Sequence, residues 1–291
     1  MKTLVTGAAG QLGREVSRRF ADHGPVVACG RADLDVTDHR AVLTAVAEAR
    51  PDLLVNCAAY NNVDGAEDDP FTAMQVNAFA VRSLATAARE HDATLVHYGT
   101  DFVFDGEAST PYVESATPGP QSVYATSKLL GEWFAAGARR YYVLRVESLF
   151  GGGVEPVEPD GRPLGSTLDR MVDALEAGRP IKGFTDRVVS PSYVPDVAAA
   201  TASLVTRPAD TGVYHCVNSG RASWFDVALT TARHLGKQDL LSPITMAEVE
   251  TPAARPRFCA LSNAKILGAG VQMPPWEDAV LRYLRARGAV T

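Results

Sequence analysis

Short apolar runs alternate with longer mixed stretches through the first half of the chain. Residues 3–6, 25–29, 52–57, 93–97 and 141–146 are apolar runs rather than apolar–polar alternations. That pattern predicts strands buried on both faces, because a strand with one wet face alternates. Between them, residues 10–22, 38–49, 70–91 and 122–138 read as helices. Asp38 or Thr37 is placed to cap the second, and Pro70 suits the first turn of the third. Strand and helix in turn predict an α/β fold: a Rossmann-type, doubly wound parallel sheet covered by helices.

Beyond residue 150 the rhythm breaks. Residues 151–163 are rich in Gly, Pro and acids and read as a loop. Residues 167–177, 195–205 and 223–235 read as helices, with a strand at 212–217. Residues 251–283 hold many prolines and aromatics and few long periodic runs. The expectation is a dinucleotide-binding domain over 1–150, with 184–217 packing onto it. Residues 151–183 and 218–291 then form a smaller, partly interleaved C-terminal substrate lobe.

Composition narrows the function. The 291 residues are 46% apolar, enough for a core, and the net charge of −6 is spread along the chain. No basic run stands out, which argues against nucleic acid as a partner. No apolar stretch reaches the roughly 20 residues of a membrane span, and residues 1–6 run straight into a strand instead of a signal peptide. Cys29, Cys57, Cys216 and Cys259 form no C-x-x-C pair, so they read as reduced and inert, which suits a cytoplasmic protein. The six histidines do not cluster; His97 and His215 fall in strands and read as core residues. No metal-ligand spacing appears, so no metal is expected. A homodimer is left open.

Residues 6–13, Thr-Gly-Ala-Ala-Gly-Gln-Leu-Gly, follow the first strand and open the first helix. Gly7 permits a tight turn, Gly10 lets backbone approach a pyrophosphate, and Gly13 lets helix and sheet pack closely. The free N–H groups of the helix start, at Gln11, Leu12 and Gly13, favour a phosphate. After the second strand comes Arg31, which suits a 2′-phosphate, so NADP(H) is favoured and NAD(H) stays open. Asp35 and Val36 could line the adenine pocket, although a loop acid is often a turn former. At the end of the third strand, the small Ala58 and Ala59, with Tyr60, would let backbone lie against the cofactor. Asn77 is an odd choice inside a helix, and a buried side chain bridging backbone groups near the cofactor would explain it.

Tyr124 and Lys128 lie four apart at the start of a helix, on one face. An ammonium near a phenol stabilises the phenolate and lowers its pKa from about 10, making a usable proton donor to a carbonyl oxygen. The lysine can also hold the cofactor ribose. Thr100 follows the fourth strand, at its carboxyl end, where ligands sit in open parallel sheets, and its hydroxyl could reach the same oxygen.

These residues resemble the extended short-chain dehydrogenase/reductase family, and within it the dTDP-4-dehydrorhamnose reductase group. The likeness runs through residues 6–13, 56–60, Val63-Asp64, Ala66-Glu67, Val76-Asn77, 100–106, 111–114, 124–128, Gly131-Glu132, 190–193, 196–198, Tyr214-His215, Ser223-Trp224, Arg255-Pro256 and 274–276. It implies reduction of a 4-keto group on a nucleotide-linked 6-deoxyhexose, with Thr100, Tyr124 and Lys128 as the catalytic triad. It puts Asp101, Phe102 and Ser148 on the substrate side, and turns 186–192, Arg187 included, and Arg255 toward the nucleotide. The chain departs from the family in four places. Gly99 replaces a usual serine. Residues 60–67 lack the usual threonine and lysine. Arg145-Val146-Glu147-Ser148 lacks a tryptophan, and Asp186-Arg187 replaces Asp-Gln. Beside the reductase stand other readings: a different carbonyl substrate, an NAD-dependent sugar epimerase or dehydratase, and a non-catalytic regulatory NADP-binding subunit.

Overall fold

The computed structural model describes residues 1–152, 165–207 and 209–290. The chain opens with β1 (Thr3–Thr6), α1 (Gln11–Phe20), β2 (Val26–Cys29), α2 (His39–Ala49) and β3 (Leu53–Asn56). It continues with α3 (Pro70–Met74), α4 (Ala80–Glu90), β4 (Thr94–Thr100), α5 (Val123–Ala135) and β5 (Arg140–Val146). Then come α6 (Thr167–Glu176), α7 (Val194–Val205), β6 (Gly212–His215), α8 (Trp224–Leu235) and α9 (Trp276–Ala286).

The six strands form one parallel sheet in the order β6-β5-β4-β3-β1-β2. Neighbouring residues of each strand serve opposite faces. Val5, Val55 and Val96 pack with Val16 and Phe20 of α1 and Leu204 of α7. Leu4, Leu54 and Leu95 pack with Val42 and Val46 of α2, Leu84 of α4 and Ala135 of α5. This is why the strands read as unbroken apolar runs. The order reverses at β1 and β3, so a crevice opens beyond their carboxyl ends.

A separate core joins Phe150, Leu168 and Leu175 to Trp224, Trp276 and Leu284, with short two-stranded pairs around it. The chain crosses between the two bodies more than once. Residues 194–204 and Tyr214 pack in the sheet's core, and so do Ile266, Val271 and Met273 from the far end of the chain.

Several elements differ from the reading above. The helix expected over 70–91 is interrupted by a π turn at Gln75–Phe79, at the point where the Asn77 side chain leaves its own helix to bond elsewhere. β4 runs on to Thr100, because Tyr98, Gly99 and Thr100 stay in register with Leu144, Arg145 and Val146. α9 was not expected; Pro275 stands as its N-cap, and prolines there start a helix instead of breaking one. Asp38 caps α2, accepting from Ala41 N at 3.0 Å. From residue 153 on, the expected 151–163 loop lies outside the described residues. Among those described, no helix is long and apolar enough to cross a membrane.

Candidate active site

The loop after β1 and the loop after β3 meet at the reversal point. Gly7 takes φ +65°, and a Cβ there would sit 2.5 Å from Ala58 N. A Cβ on Gly13 would sit 2.2 Å from Gly7 O, so both positions exclude every larger residue. Gly10 is the N-cap of α1 and offers no side chain to it, and no acid lies in the first turn. The first amides of the helix therefore stay open for an anion. A dinucleotide pyrophosphate fits a cradle of this kind. The Gln11 side chain packs against the backbone of Gly151 and Gly152.

Polar side chains hold the far wall. Asn56 Oδ1 accepts from Thr6 Oγ1 at 2.7 Å and from Ala58 N at 3.1 Å. Asn56 Nδ2 lies 3.1 Å from Nδ1 of His97, a ring kept neutral by burial and by the Lys128 charge. Asn77 clamps Tyr60 at both backbone atoms, accepting from N at 2.9 Å and donating to O at 3.0 Å. It also donates to Ser127 Oγ at 3.0 Å, and Ser127 Oγ donates to Tyr124 O at 2.7 Å. One buried amide thus ties the wall of the crevice to the helix carrying Tyr124.

Thr100 ends β4, and Tyr124 and Lys128 lie in the first turns of α5, all three buried. The Ser122 hydroxyl caps α5, accepting from Ala125 N at 3.2 Å. Phe102 meets Tyr124 edge to face, with ring centroids 5.6 Å apart. Burial, with the nearby Asp101 charge, holds the Tyr124 phenol above its usual pKa, and a hydrogen bond from Thr100 partly offsets this. Burial also lowers Lys128 to about 8, against the pull of Glu132 and Cys57. Its Nζ donates to Tyr98 O at 2.6 Å. The expectation that Lys128 lowers the Tyr124 pKa is therefore corrected: the ammonium is turned to a main-chain carbonyl, and the tyrosine rests protonated.

The substrate side holds more charge than the sequence suggested. Glu132 and Arg145 form a buried pair at 2.8 Å beneath Gly99. A Cβ on Gly99 would come within 2.3 Å of Glu132 Oε1, so the absence of serine there makes room for the pair. Asp101, Glu147 and Cys259 are buried with their polar atoms within 4.8 Å of one another. They come from three distant segments, so no spacing could reveal them. The Arg187 charge acts on both carboxyls. The Arg187 guanidinium lies over the Phe102 ring, 5.7 Å from its centroid.

Ser148 is half-buried with φ +47°, a left-handed conformation at the start of the substrate side. Arg31 is exposed after β2, and Val36 is buried. Asp35 is exposed, and its Oδ1 accepts from Thr37 N at 2.9 Å and Thr37 Oγ1 at 2.7 Å. Arg255 is forked onto Asp64 at 2.9 and 2.7 Å, which ties the two bodies of the fold together.

A family model described as the RmlD substrate binding domain matches residues 1–288. The chain belongs to that family. As an RmlD-family chain it is an extended short-chain dehydrogenase/reductase, an NAD(P)-dependent oxidoreductase acting on a keto group. A probable dTDP-4,6-dihydroxy-2-methyloxan-3-one 4-ketoreductase of Streptomyces antibioticus is 37% identical over 285 residues, 96% of this chain and 93% of that protein. The dTDP-4-dehydrorhamnose reductase of Streptomyces griseus is 36% identical over 287 residues, covering 95% and 91%. The solved dTDP-4-dehydrorhamnose reductase of Bacillus anthracis, in complex with NADP, matches with a TM-score of 0.90 at 28% identity, over 98% of this chain and 99% of that one. The RmlD-family model spans both bodies of the fold.

Proposed function

We propose that this chain reduces the 4-keto group of a nucleotide-linked 6-deoxyhexose, with NADPH as donor. The observation that carries the reading is a buried Tyr124 beside Thr100, at the carboxyl end of the sheet near an uncapped glycine cradle. The 4-ketoreductase and dehydrorhamnose reductase names of its relatives, and the NADP in one of their structures, support it.

Gly7, Gly10 and the amides of Gln11, Leu12 and Gly13 hold the pyrophosphate, and Arg31 pairs with a 2′-phosphate. Ala58 and Ala59 let backbone lie flat along the dinucleotide, in a wall that Asn56 and Asn77 keep rigid. Lys128 binds the ribose hydroxyls. A reduced nicotinamide, once bound, supplies hydride to the carbonyl carbon. Tyr124 gives its phenolic proton to the carbonyl oxygen, and Thr100 orients that oxygen by a hydrogen bond. Holding these groups in place removes much of the entropic barrier. Phe102 and Ser148 border the sugar.

The test is absorbance loss of the reduced nicotinamide with a dTDP-4-keto-6-deoxyhexose, with NADPH and NADH in parallel. Oxidation that is faster with NADPH is expected. Tight NADPH binding without oxidation would mean that the altered substrate side takes another carbonyl, and would sink the sugar reading.

A further inference from the structure

The charged cluster behind the catalytic hydroxyls has an unusual balance. Glu147 Oε2 accepts from Ser190 N at 2.7 Å, while its Oε1 is buried with no hydrogen-bond partner. Asp101 lies within 4.8 Å of it. The groups that face the two carboxyls are Arg187, the neutral Cys259 thiol and the Tyr124 phenol. Two carboxyls this close in a dry site do not both ionise, and one guanidinium balances one charge. One proton therefore stays with the pair.

A path leads from that proton to the reacting atoms. Asp101 Oδ1 accepts from Thr100 Oγ1 at 3.0 Å, and Thr100 stands beside the Tyr124 phenol. We propose that the Asp101–Glu147 pair is a proton reserve that recharges Tyr124 through the Thr100 hydroxyl in each turnover. The proposal rests on the reductase reading above.

When the phenolic proton passes to the substrate oxygen, Tyr124 is left as phenolate. The Thr100 hydroxyl turns from Asp101 to that phenolate and gives it its proton, and the pair's one proton passes from Glu147, whose unpartnered Oε1 is the atom available to hand it over, through Asp101 onto the Thr100 oxygen. Water returns one proton to the pair before the next cycle. Only protons move in these steps; no electron is transferred. Glu147 acts through Asp101 and is a positioning and relay residue, not one that touches substrate.

The test uses the full chain and Glu147→Gln, which keeps an oxygen for the Ser190 N–H but has no acidic proton to give. Infrared spectra at neutral pH should show a protonated-carboxyl stretch in the unaltered protein that is missing in E147Q. Stopped-flow traces with NADPH and a dTDP-4-keto-6-deoxyhexose should show a first turnover at the original rate, because resting Tyr124 already holds a proton. Later turnovers should slow by about tenfold, short of the 10²–10⁴ of a direct acid, with KM unchanged and a larger solvent deuterium effect. A missing infrared band overturns the proposal, and so does an unchanged steady-state rate. Equal slowing of first and later turnovers also overturns it, since a packing defect would do that. If E147Q does not fold, ¹³C-glutamate labelling assigns the band in the unaltered protein and decides the point. If the unaltered protein ignores this substrate, the sugar reading fails, and the band still decides whether the pair holds a proton.

Discussion

On the cofactor side of the cleft the contacts come from backbone; on the substrate side they come from buried charge. The cradle depends on what is absent, since a Cβ at Gly7 or Gly13 would strike main-chain atoms at 2.5 or 2.2 Å. The substrate side depends on what is added: Asp101, Glu132, Arg145 and Glu147 are all buried, and each needs another to stay there. A backbone cradle can be built in one way and tolerates little change. A charge cluster can be rewired by one substitution, and the departures from the family at Gly99, Glu147 and Arg187 all fall on that side.

Breaking the chemistry without touching the cradle should give the largest effect. Tyr124→Phe should cut kcat by about 10²–10⁴, the usual contribution of a general acid. Titration with NADPH, followed by fluorescence, should show binding unchanged. Retention of the original rate would refute the assignment of Tyr124. Next comes the buried pair beneath Gly99. Glu132→Ala leaves the Arg145 charge without its carboxylate in the interior and should cost about 3–5 kcal/mol in urea unfolding. Gly99→Ser should act in the same direction and more weakly, because its Cβ meets the movable end of Glu132.

The same contrast explains what could be read from sequence. The cradle was legible because its signal is local: three glycines where a strand passes into a helix, two of them required by a close backbone contact. Tyr124, Lys128 and Thr100 were legible as types at fixed places in a Rossmann alternation. Asn77 was legible as an anomaly, an amide inside a helix, and its clamp on Tyr60 accounts for it. The cluster of Asp101, Glu147, Cys259 and Arg187 was not, since it is assembled by folding from segments up to 158 residues apart (Asp101 to Cys259). Glu147 did carry one signal, an acid directly after an apolar strand. α9 was missed because Pro274 and Pro275 look like chain breakers until one of them is seen to start a helix.

The charge cluster should also be visible in the pH dependence of stability. Burial first, against the pull of Arg187, raises Asp101 to about 6. The folded state thus holds this proton more tightly than the unfolded chain. Its stabilising effect is complete below about pH 4 and is lost as pH rises through about 6. His97 and His215, held neutral by burial, act in the opposite sense, with His215 lowered to about 3. Both remain in Asp101→Asn, so the difference between the two proteins reports on the Asp101–Glu147 pair and not on the histidines. The stability of the unaltered protein relative to D101N should fall from pH 4 to pH 7 by at most about 3 kcal/mol, at about 1.4 kcal/mol per pK unit. A flat or rising difference would mean that Asp101 is ionised throughout.

The smallest effect separates the two sides most directly. Arg255 and Asp64 bridge the bodies of the fold with side chains 20% and 39% exposed. A pair open to water contributes only about 0–1 kcal/mol. Arg255→Ala should therefore lower stability by no more than about 1 kcal/mol, and less as salt is raised. If the guanidinium serves only the bridge, KM for the nucleotide sugar should move little, and Asp64→Asn should copy the effect. A large rise in KM with stability unchanged would show that Arg255 leaves Asp64 to grip the nucleotide when substrate binds. The bridge would then be a resting contact that the substrate displaces, and the charged side of the cleft would reach as far as the nucleotide.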